Sequence, residues 1–172
     1  MPIYALGDQV PQIDPTAFVH PEAVVIGTVT IGAESSIWPS AVLRGDCGSI
    51  VVGARTSIQD GAVLHTTDDH PTVVGDDCVI GHLAHLEGCT VEDRCLVGVG
   101  SIVLHRVIVH TGGVVAANAV VLNDMEVPSG AVALGVPAKM REGMADADDI
   151  AHGAETYRER ARHYRDALRR LG

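Results

Sequence analysis

Two histidines and one glutamate fall at positions from which their side chains could bind a metal or transfer protons. His65 and Glu87 each directly follow a leucine of a regular apolar series, whereas His82 lies two residues after such a position. Since His65 and Glu87 occupy the same step of the repeat, we expect them to project from the same side of adjacent repeats. His82 occupies a different step and points elsewhere, so two copies of the chain would bring the three side chains together more readily than one.

The elements that must position these residues repeat every six residues. The apolar members of the repeat are Ile13, Val19, Val25, Ile31, Ile37, Leu43, Val52, Ile58, Leu64, Val74, Ile80, Leu86, Val91, Val97, Val103, Val109, Val115, Val121 and Val127. A small side chain follows nearly every one of them by four residues. A period of six matches neither the helical period of about 3.6 nor a simple two-residue alternation. It is typical of a parallel β-helix, in which three hexads close one triangular coil.

One elongated domain is predicted, because each coil of a repeat array packs only on its neighbours. Residues 1–144 form the hexapeptide-repeat β-helix in this prediction, and residues 145–172 form a C-terminal helix. The tail has apolar residues alternately four and three apart, which places them on one stripe of a helix that packs along the coils. A partner-binding or membrane role for this stripe is the alternative. Its members are Ile150, Ala154, Tyr157, Ala161, Tyr164, Leu168 and Leu171.

Two interruptions of the six-residue count predict two loops. The first contains residues 44–49, and the second contains residues 65–71. Insertions in repeat proteins leave on one face, which is often the functional face.

The four cysteines are interpreted as small buried residues and not as a metal set. Cys47, Cys78 and Cys95 fall in the small inward slot of the repeat, where a free cysteine packs as a small hydrophobe. Cys89 lies one position off that slot. Since the sequence has no Cys-x-x-Cys pair, it predicts neither a zinc ribbon nor a redox motif. Reduced cysteines are typical of a cytosolic protein.

The net charge of −10 is carried by the repeats, because acids and arginines balance from residue 145 onward. An acidic surface without a basic stripe argues against nucleic-acid binding. No stretch approaches the ~18 apolar residues that span a bilayer. The N-terminus lacks the basic start and apolar stretch of an export signal. We therefore expect a cytoplasmic protein with neither a nucleic-acid nor a membrane partner.

Four motifs resemble those of the gamma-class carbonic anhydrases, and the similarity covers essentially the whole chain. They lie at residues 36–46 (SIWPSAVLRGD), 58–65 (IQDGAVLH), 80–82 (IGH) and 134–139 (LGVPAK). The resemblance implies an all-β, left-handed parallel β-helix that assembles as a homotrimer. It also implies a divalent metal between subunits, with zinc first and iron second. A metal-bound water would then attack carbon dioxide or another small-molecule electrophile.

The metal ligands of the family match positions 65, 82 and 87, with two from one subunit and one from the next. Glu87 stands where the family has histidine. Two histidines and one carboxylate still form zinc and iron sites. An anionic ligand, however, makes the metal less effective at lowering the pKa of its bound water. We therefore predict a metal at His65, His82 and Glu87, with carbonic anhydrase activity weak or lost. His85 is an alternative ligand that requires a shift of register.

Further residues match roles in the family. Gln59 corresponds to the glutamine that orients the metal-bound hydroxide, and its amide can both donate and accept. Arg44, Asp46 and Asp60 match ion pairs at the subunit interface, where an arginine clamp serves assembly. Ser57 stands where the family often has asparagine, which weakens the match around the site.

Proton transfer needs a titrating group near the mouth of the site. The best-studied branch of the family uses acidic residues on a long loop that this chain lacks. His70, in the second loop, is the candidate here, and a solvent-exposed loop histidine without a role is the alternative. The remaining histidines are interpreted as surface residues: His20, His105, His110, His152 and His163.

Two other functions compete with a carbonic anhydrase-like lyase or metal-dependent hydrolase. One is a non-catalytic trimeric binding or assembly module whose metal site has decayed. Intact interface ion pairs beside a changed ligand are what this alternative predicts. The other is acyl transfer from coenzyme A, which requires a catalytic histidine near a long extruded loop, whereas the loops here are short.

Overall fold

The computed structural model describes residues 2–172 as twenty short strands followed by one helix. Most strands contain two or three residues, because each face of a coil is short. The elements are β1 (Ile3–Tyr4), β2 (Gln12–Ile13), β3 (Phe18–Val19), β4 (Val24–Ile31), β5 (Ser36–Ile37), β6 (Val42–Val52), β7 (Ser57–Ile58), β8 (Val63–His65), β9 (Thr72–Val74), β10 (Val79–Ile80), β11 (His85–Glu87), β12 (Thr90–Val91), β13 (Leu96–Val97), β14 (Ile102–Val103), β15 (Ile108–Val109), β16 (Val114–Val115), β17 (Val120–Val121), β18 (Glu126–Val127), β19 (Val132–Leu134), β20 (Lys139–Arg141) and α1 (Ala147–Ala167).

The strands stack as a parallel β-helix of about seven coils. One face is an eight-stranded sheet in the order β20-β19-β16-β13-β10-β7-β5-β3. The other two faces are joined into a single sheet, because the long strand β6 pairs with β8 at its beginning and with β9 at its end. Strand β20 turns back and pairs antiparallel with β19. The other strands hydrogen-bond in parallel to strands one coil away, which holds side chains of successive coils in rows.

The interior holds the apolar series that the sequence predicts. From Val19 to Val127, every member of the series is at most 8% exposed, and Ile13 at the first coil is partly buried. The two bulky rings of Phe18 and Trp38 lie outside this core, in a separate cluster with α1. The narrow interior cluster contains no aromatic ring among the described residues.

The prediction for the cysteines is right for Cys78 and Cys95 and wrong for Cys47, which is exposed. The first interruption does not leave as a loop. Instead β6 continues through it, and residues 46–49 bulge outward between two paired segments. Cys89 is fully buried and takes the inward slot of its coil, because the step between inward residues there is five and not six.

Strand β4 bends at Gly27, whose φ is +78°, and passes close to the next coil there. A Cβ at this position would lie 2.4 Å from the carbonyl oxygen of Gly45 on the next coil. Glycine alone satisfies both the left-handed backbone and this contact. The bend therefore positions the beginning of β6 and the bulge at residues 46–49.

Helix α1 packs along the eight-stranded face, against β3, β5, β7 and β10. Asp146 caps its N-terminus by accepting hydrogen bonds from the amides two and three residues later, at 3.0 and 3.2 Å. Ile150, Ala154 and Ala161 are buried against the coils. No helix in residues 2–172 is both long and apolar enough to cross a bilayer.

An aromatic cluster fastens α1 to the coils. The ring of Trp38 lies 5.6 Å from that of Tyr157 and 5.1 Å from that of Tyr164, both edge-on. The indole Nε1 donates hydrogen bonds to the hydroxyls of Ser36 and Ser57, each at 3.0 Å. By accepting a hydrogen bond from Trp38, Ser57 helps to fix the ring against which α1 packs.

The predicted helical stripe is wrong at its end. Leu168 is the extended C-cap residue after Ala167, and it is 45% exposed, while Leu171 is 88% exposed. Since the helix has already ended, the three-and-four spacing no longer places these leucines against the coils.

Candidate metal centre

His65 and Glu87 lie side by side on one face of the β-helix. Strands β8 and β11 are parallel neighbours in which Leu64 pairs with Leu86 and His65 with Glu87. Both leucines are fully buried. Since side chains alternate along a strand, the residue after each leucine points outward. The inference from the hexad that both side chains project from the same side of adjacent coils is therefore correct.

Three imidazoles surround the carboxylate of Glu87. Its Oε1 lies 3.0 Å from Nδ1 of His65 and 3.6 Å from Nε2 of His105. Its Oε2 lies 3.1 Å from Nε2 of His85. Burial opposes ionisation of this carboxyl, but the hydrogen bonds from His65 and His85 outweigh burial, so the pKa of Glu87 is lowered. Glu87 is therefore an anionic oxygen donor set among imidazoles.

The second ring nitrogen of His65 faces an acid and a thiol. Nε2 of His65 lies 3.2 Å from Oδ1 of Asp46, and Oδ2 of Asp46 pairs with Arg44. The ligand atoms of Asp46, Cys47 and His65 all lie within 4.8 Å of one another. Burial works against ionisation of Asp46, but hydrogen bonds led by the one from Arg44 outweigh burial and lower the pKa of Asp46.

His82 lies in the turn between β10 and β11, beside α1. Its Nδ1 is 3.0 Å from Oδ2 of Asp60, and its Nε2 is 3.4 Å from the hydroxyl of Tyr157. Its backbone amide donates to Oε1 of the buried Gln59 at 3.2 Å. Within residues 2–172, His82 has no hydrogen bond to His65. One chain therefore brings together two of the three matched ligands.

The three residues that match interface ion pairs separate into two groups. Arg44 and Asp46 pair with each other. Asp60 instead pairs with His82. Their role at a subunit interface stays a prediction, and Asp60 acquires a second possible task, which is to orient an imidazole.

His70 lies in the second loop, near His105. Its Nε2 is 3.2 Å from Nη1 of Arg106, and the ring centroids of His70 and His105 are 6.1 Å apart. Since a guanidinium can only donate, Nε2 of His70 accepts this hydrogen bond. His105 thus lies between Glu87 and His70, and a role of His70 in proton transfer stays a prediction.

Sequence reasoning missed three neighbours of this site. His105 follows Glu87 by 18 residues, the length of one coil, and that spacing could have identified it. Asp60 precedes His82 by 22 residues, which is one coil plus the excess of the second loop. No such signal marks Cys47, because its exposure depends on how β6 bulges.

The residues present fit a divalent metal. Two ligand atoms of a tetrahedral zinc lie about 3.3 Å apart, given bonds of about 2.0–2.1 Å, and Nδ1 of His65 and Oε1 of Glu87 are 3.0 Å apart. The two side chains are 17% and 24% exposed, so an ion can reach them from solvent. Imidazole and carboxylate are donors for both zinc and iron. The pair therefore suits a metal whose coordination is completed from outside this chain.

Two groups of curated proteins are similar to the chain, although no family model matches it. The chain is 45% identical over 150 residues to gamma carbonic anhydrase 1, mitochondrial, of Arabidopsis thaliana, covering 84% of this chain and 54% of that protein. It is 38% identical over 146 residues to the carnitine operon protein CaiE of Escherichia coli K12, covering 85% and 74%. The chain spans about half the length of the Arabidopsis relatives it matches.

A solved structure shares the fold. The crystal structure of a hexapeptide transferase family protein from Anaplasma phagocytophilum superimposes with a TM-score of 0.86 at 39% identity, covering 90% of this chain and 92% of that one. The expected left-handed parallel β-helix with a C-terminal helix along it is confirmed. With this architecture and this degree of identity to its curated relatives, the chain belongs to the gamma-class carbonic anhydrase family of hexapeptide-repeat proteins.

Proposed function

We propose that this protein is a gamma carbonic anhydrase-like metalloprotein that works as a homotrimer. A divalent metal, zinc first and iron second, is held by His65 and Glu87 of one subunit and by His82 of the next. When bound, the metal lowers the pKa of a coordinated water and supplies a nucleophile for carbon dioxide or another small electrophile. The observation that carries the proposal is the 3.0 Å separation of Nδ1 of His65 and Oε1 of Glu87 on paired strands.

The surroundings of His82 support its service to a neighbouring subunit. Its side chain is 42% exposed in a turn, where a second copy of the chain can approach. Asp60 lies 3.0 Å from Nδ1. A carboxylate at one ring nitrogen fixes the tautomer and leaves the lone pair on the other, as in many metal-binding histidines. The hydroxyl of Tyr157 lies 3.4 Å from Nε2 and can donate to that lone pair.

Glu87 sets the expected level of activity. Its carboxylate brings a negative charge where an imidazole would be neutral, so a metal here acidifies water less strongly. Hydration of carbon dioxide is therefore weak or lost. The reaction that remains is that of a lyase or a metal-dependent hydrolase acting on a more reactive small electrophile.

Two further residues have tasks in this proposal. Gln59 orients the attacking water, and its burial together with the hydrogen bond from the His82 amide holds its side chain in place. His70 receives the proton by way of His105, whose Nε2 is 3.6 Å from Oε1 of Glu87. Since Nε2 of His70 accepts a hydrogen bond from Arg106, His70 takes up a proton at Nε2 only when that contact opens.

A non-catalytic trimeric binding or assembly module is the second candidate. The observation that favours it is the contact between Arg44 and Asp46, the pair matched to the subunit interface, beside a changed ligand at Glu87. This candidate predicts a trimer that forms without metal and whose stability does not depend on His65.

Mixing two defective subunits tests the shared site. His65→Ala and His82→Ala each remove one ligand from every site of a homotrimer. In mixed trimers, a His82→Ala chain still offers His65 and Glu87, and an adjacent His65→Ala chain still offers His82. About a quarter of the sites in an equal mixture are then complete. We expect bound zinc or iron, measured by mass spectrometry, to be absent from each variant and to return in the mixture.

The control is a mixture of His65→Ala with His20→Ala, whose second member keeps all three ligands. Native mass spectrometry checks that the species is a trimer. Failure of the His65→Ala and His82→Ala mixture to regain metal would contradict the shared site. A trimer that takes up neither zinc nor iron would favour the assembly module, and a monomer would contradict both candidates.

A further inference from the structure

A second group of metal-binding side chains lies on the opposite side of the His65 ring from Glu87. It consists of His65, Asp46 and Cys47, whose ligand atoms all lie within 4.8 Å of one another. Nε2 is the nitrogen of His65 that faces Asp46, at 3.2 Å. Cys47 is exposed, and the other two residues are part-exposed, so an ion can enter from solvent. Cys47 has no part in the proposed function.

The ring of His65 lies between two acids. Nδ1 faces Oε1 of Glu87 at 3.0 Å, and Nε2 faces Oδ1 of Asp46 at 3.2 Å. A neutral imidazole carries one N–H and one lone pair. One of the two acids therefore faces a lone pair, unless the ring takes a second proton or a cation lies beside it. When the N–H donates to Glu87, the lone pair of Nε2 points to Asp46 and Cys47.

This orientation is the one that metal-binding histidines commonly have. The ring nitrogen that does not bind the metal usually donates to a carboxylate, which fixes the ring. For His65, Glu87 is the carboxylate that accepts this hydrogen bond, at Nδ1. Arg44 holds Oδ2 of Asp46, so that Oδ1 stays directed at His65. The outward bulge at residues 46–49 adds the thiol of Cys47 to the pair.

We infer that Asp46, Cys47 and Nε2 of His65 form a second metal position, one that selects a thiophilic divalent cation such as Zn²⁺ or Cd²⁺. Cys47 binds as the thiolate, so the S–H proton passes to solvent as the sulfur–metal bond forms, and no electrons are transferred. A thiolate ligand favours such cations over Mg²⁺ and Ca²⁺. Three protein ligands leave a four-coordinate ion one open position.

A cysteine–histidine nucleophile is the competing use of these side chains. The negative charge of Asp46, followed by desolvation, raises the pKa of the Cys47 thiol. The free thiol therefore stays protonated at neutral pH, whereas a nucleophile requires the thiolate. A coordinated metal deprotonates a thiol outright. The cluster is thus better suited to metal binding than to covalent catalysis.

Occupation of this position has a regulatory consequence, and this step alone rests on the proposed function. With Nε2 bound to the ion, the single ring proton stays on Nδ1 and donates to Glu87. His65 then offers no lone pair on the Glu87 side of its ring. A thiophilic cation therefore inhibits the protein by holding His65 in the wrong tautomer.

Titration of the metal-free protein with Co²⁺ or Cd²⁺ tests the site, because thiolate ligation adds an ultraviolet charge-transfer band that nitrogen and oxygen ligands do not give. We compare wild type with Cys47→Ser and Glu87→Gln. The band is expected in wild type and in Glu87→Gln. Cys47→Ser should lose it and bind Cd²⁺ at least roughly tenfold more weakly. Cys78, Cys89 and Cys95 are buried and remain in every variant, so they serve as an internal control.

Each other outcome overturns a defined part of the inference. A band that survives in Cys47→Ser overturns the site. Binding without a thiolate band that is lost in Glu87→Gln also overturns it, but leaves the proposed function standing. A band that is lost in Cys47→Ser but persists in His82→Ala supports the second position even if subunit mixing fails. The absence of any binding overturns both, and far-ultraviolet circular dichroism confirms that each variant is folded.

Discussion

Oε1 of Glu87 lies 3.0 Å from Nδ1 of His65, and the two residues are directly paired on β11 and β8. A carboxylate at this place can only accept a hydrogen bond when ionised, whereas an imidazole could also donate. Glu87 at Nδ1 and Asp46 at Nε2 therefore compete for the one N–H of a neutral His65 ring. The identity of residue 87 thus affects both the charge of the proposed centre and the side of the His65 ring that can bind a metal.

Replacing Glu87 with histidine should raise carbon dioxide hydration. Glu87→His removes the negative charge beside the metal and gives a neutral third imidazole, so water in the site becomes more acidic. We expect a gain of at least roughly tenfold, the scale of single changes around metal ligands. Stopped-flow hydration with zinc or iron present measures it. Glu87→Gln is the control and should show no gain. A metal-loaded Glu87→His protein no faster than wild type would contradict this prediction.

Replacing Asp60 should weaken metal binding, because Asp60 contacts the ligand His82. Asp60→Asn removes the anionic partner at Nδ1 of His82 and weakens its preference for the tautomer with a free Nε2. We expect metal affinity to fall by roughly 10- to 100-fold, measured by competition with a chelator, with the trimer retained. Asp68→Asn, an acid of the second loop, is the matched control. If Asp60→Asn dissociated the trimer and left affinity per trimer unchanged, the interface ion pair would be its role.

Gly27 should tolerate no side chain. Gly27→Ala places a Cβ 2.4 Å from the Gly45 carbonyl oxygen while keeping φ at +78°. We expect the free energy of unfolding to fall by about 3 kcal/mol, since backbone strain and a steric clash act together. Gly112→Ala isolates the first effect, because Gly112 has φ of +73° and open space around it. Its cost should be about 1 kcal/mol. If urea unfolding gave the same loss of unfolding free energy for Gly27→Ala and Gly112→Ala, the close approach of the coils would make no contribution.

The Arg55–Asp77 pair should make stability depend on pH. Nε and Nη2 of Arg55 donate to the two carboxylate oxygens of Asp77 at 2.7 and 2.8 Å. This hydrogen bonding holds the pKa of Asp77 below its ordinary value of 3.8. Because the folded pKa is the lower one, the stabilisation is present above pH 3.8 and is lost as the pH falls through the folded pKa.

Asp77→Asn removes this dependence. The variant should lose about 1 kcal/mol or less at pH 7, since the pair is partly exposed, and the difference from wild type should shrink below pH 3.8. Asparagine tolerates the positive φ of residue 77, so the backbone is not perturbed. Urea unfolding at matched protein concentration measures both proteins. A difference that stayed constant down to pH 2 would exclude the ion pair as its cause.

The coil interior was predictable because inward and outward positions are a local property of the chain. Each hexad places its apolar residue by its own count, and Leu64 and Leu86 are buried as that count requires. From their burial, the outward direction of His65 and Glu87 followed directly. The same count failed for Cys47 and Cys89, where the step between inward residues is nine and five. At such places the position of a residue depends on how neighbouring coils pair, and the count carries no information about that.

The surroundings of the candidate site were less predictable than its two central residues. His105 approaches Glu87 and Asp60 approaches His82 because turns on adjacent coils stack, although neither pair follows from an apolar pattern. The prediction for the helix was also only partly right. Its apolar spacing predicted the burial of Ile150, but no sequence signal predicted its end at Ala167, so Leu168 was wrongly placed on the buried stripe.

The amino-acid order was sufficient for the β-helix, the outward face with His65 and Glu87, and the separation of His82 from both, because a strict period makes burial a property of each repeat. Folding in three dimensions was needed to set the outward bulge at Cys47, the pairing of Arg44 with Asp46, and the place of His65 between two acids. The two contacts of His65 join residues about one coil apart, and the Arg44–Asp46 pair depends on side-chain rotamers within an irregular strand. A local pattern of polarity contains no information about either.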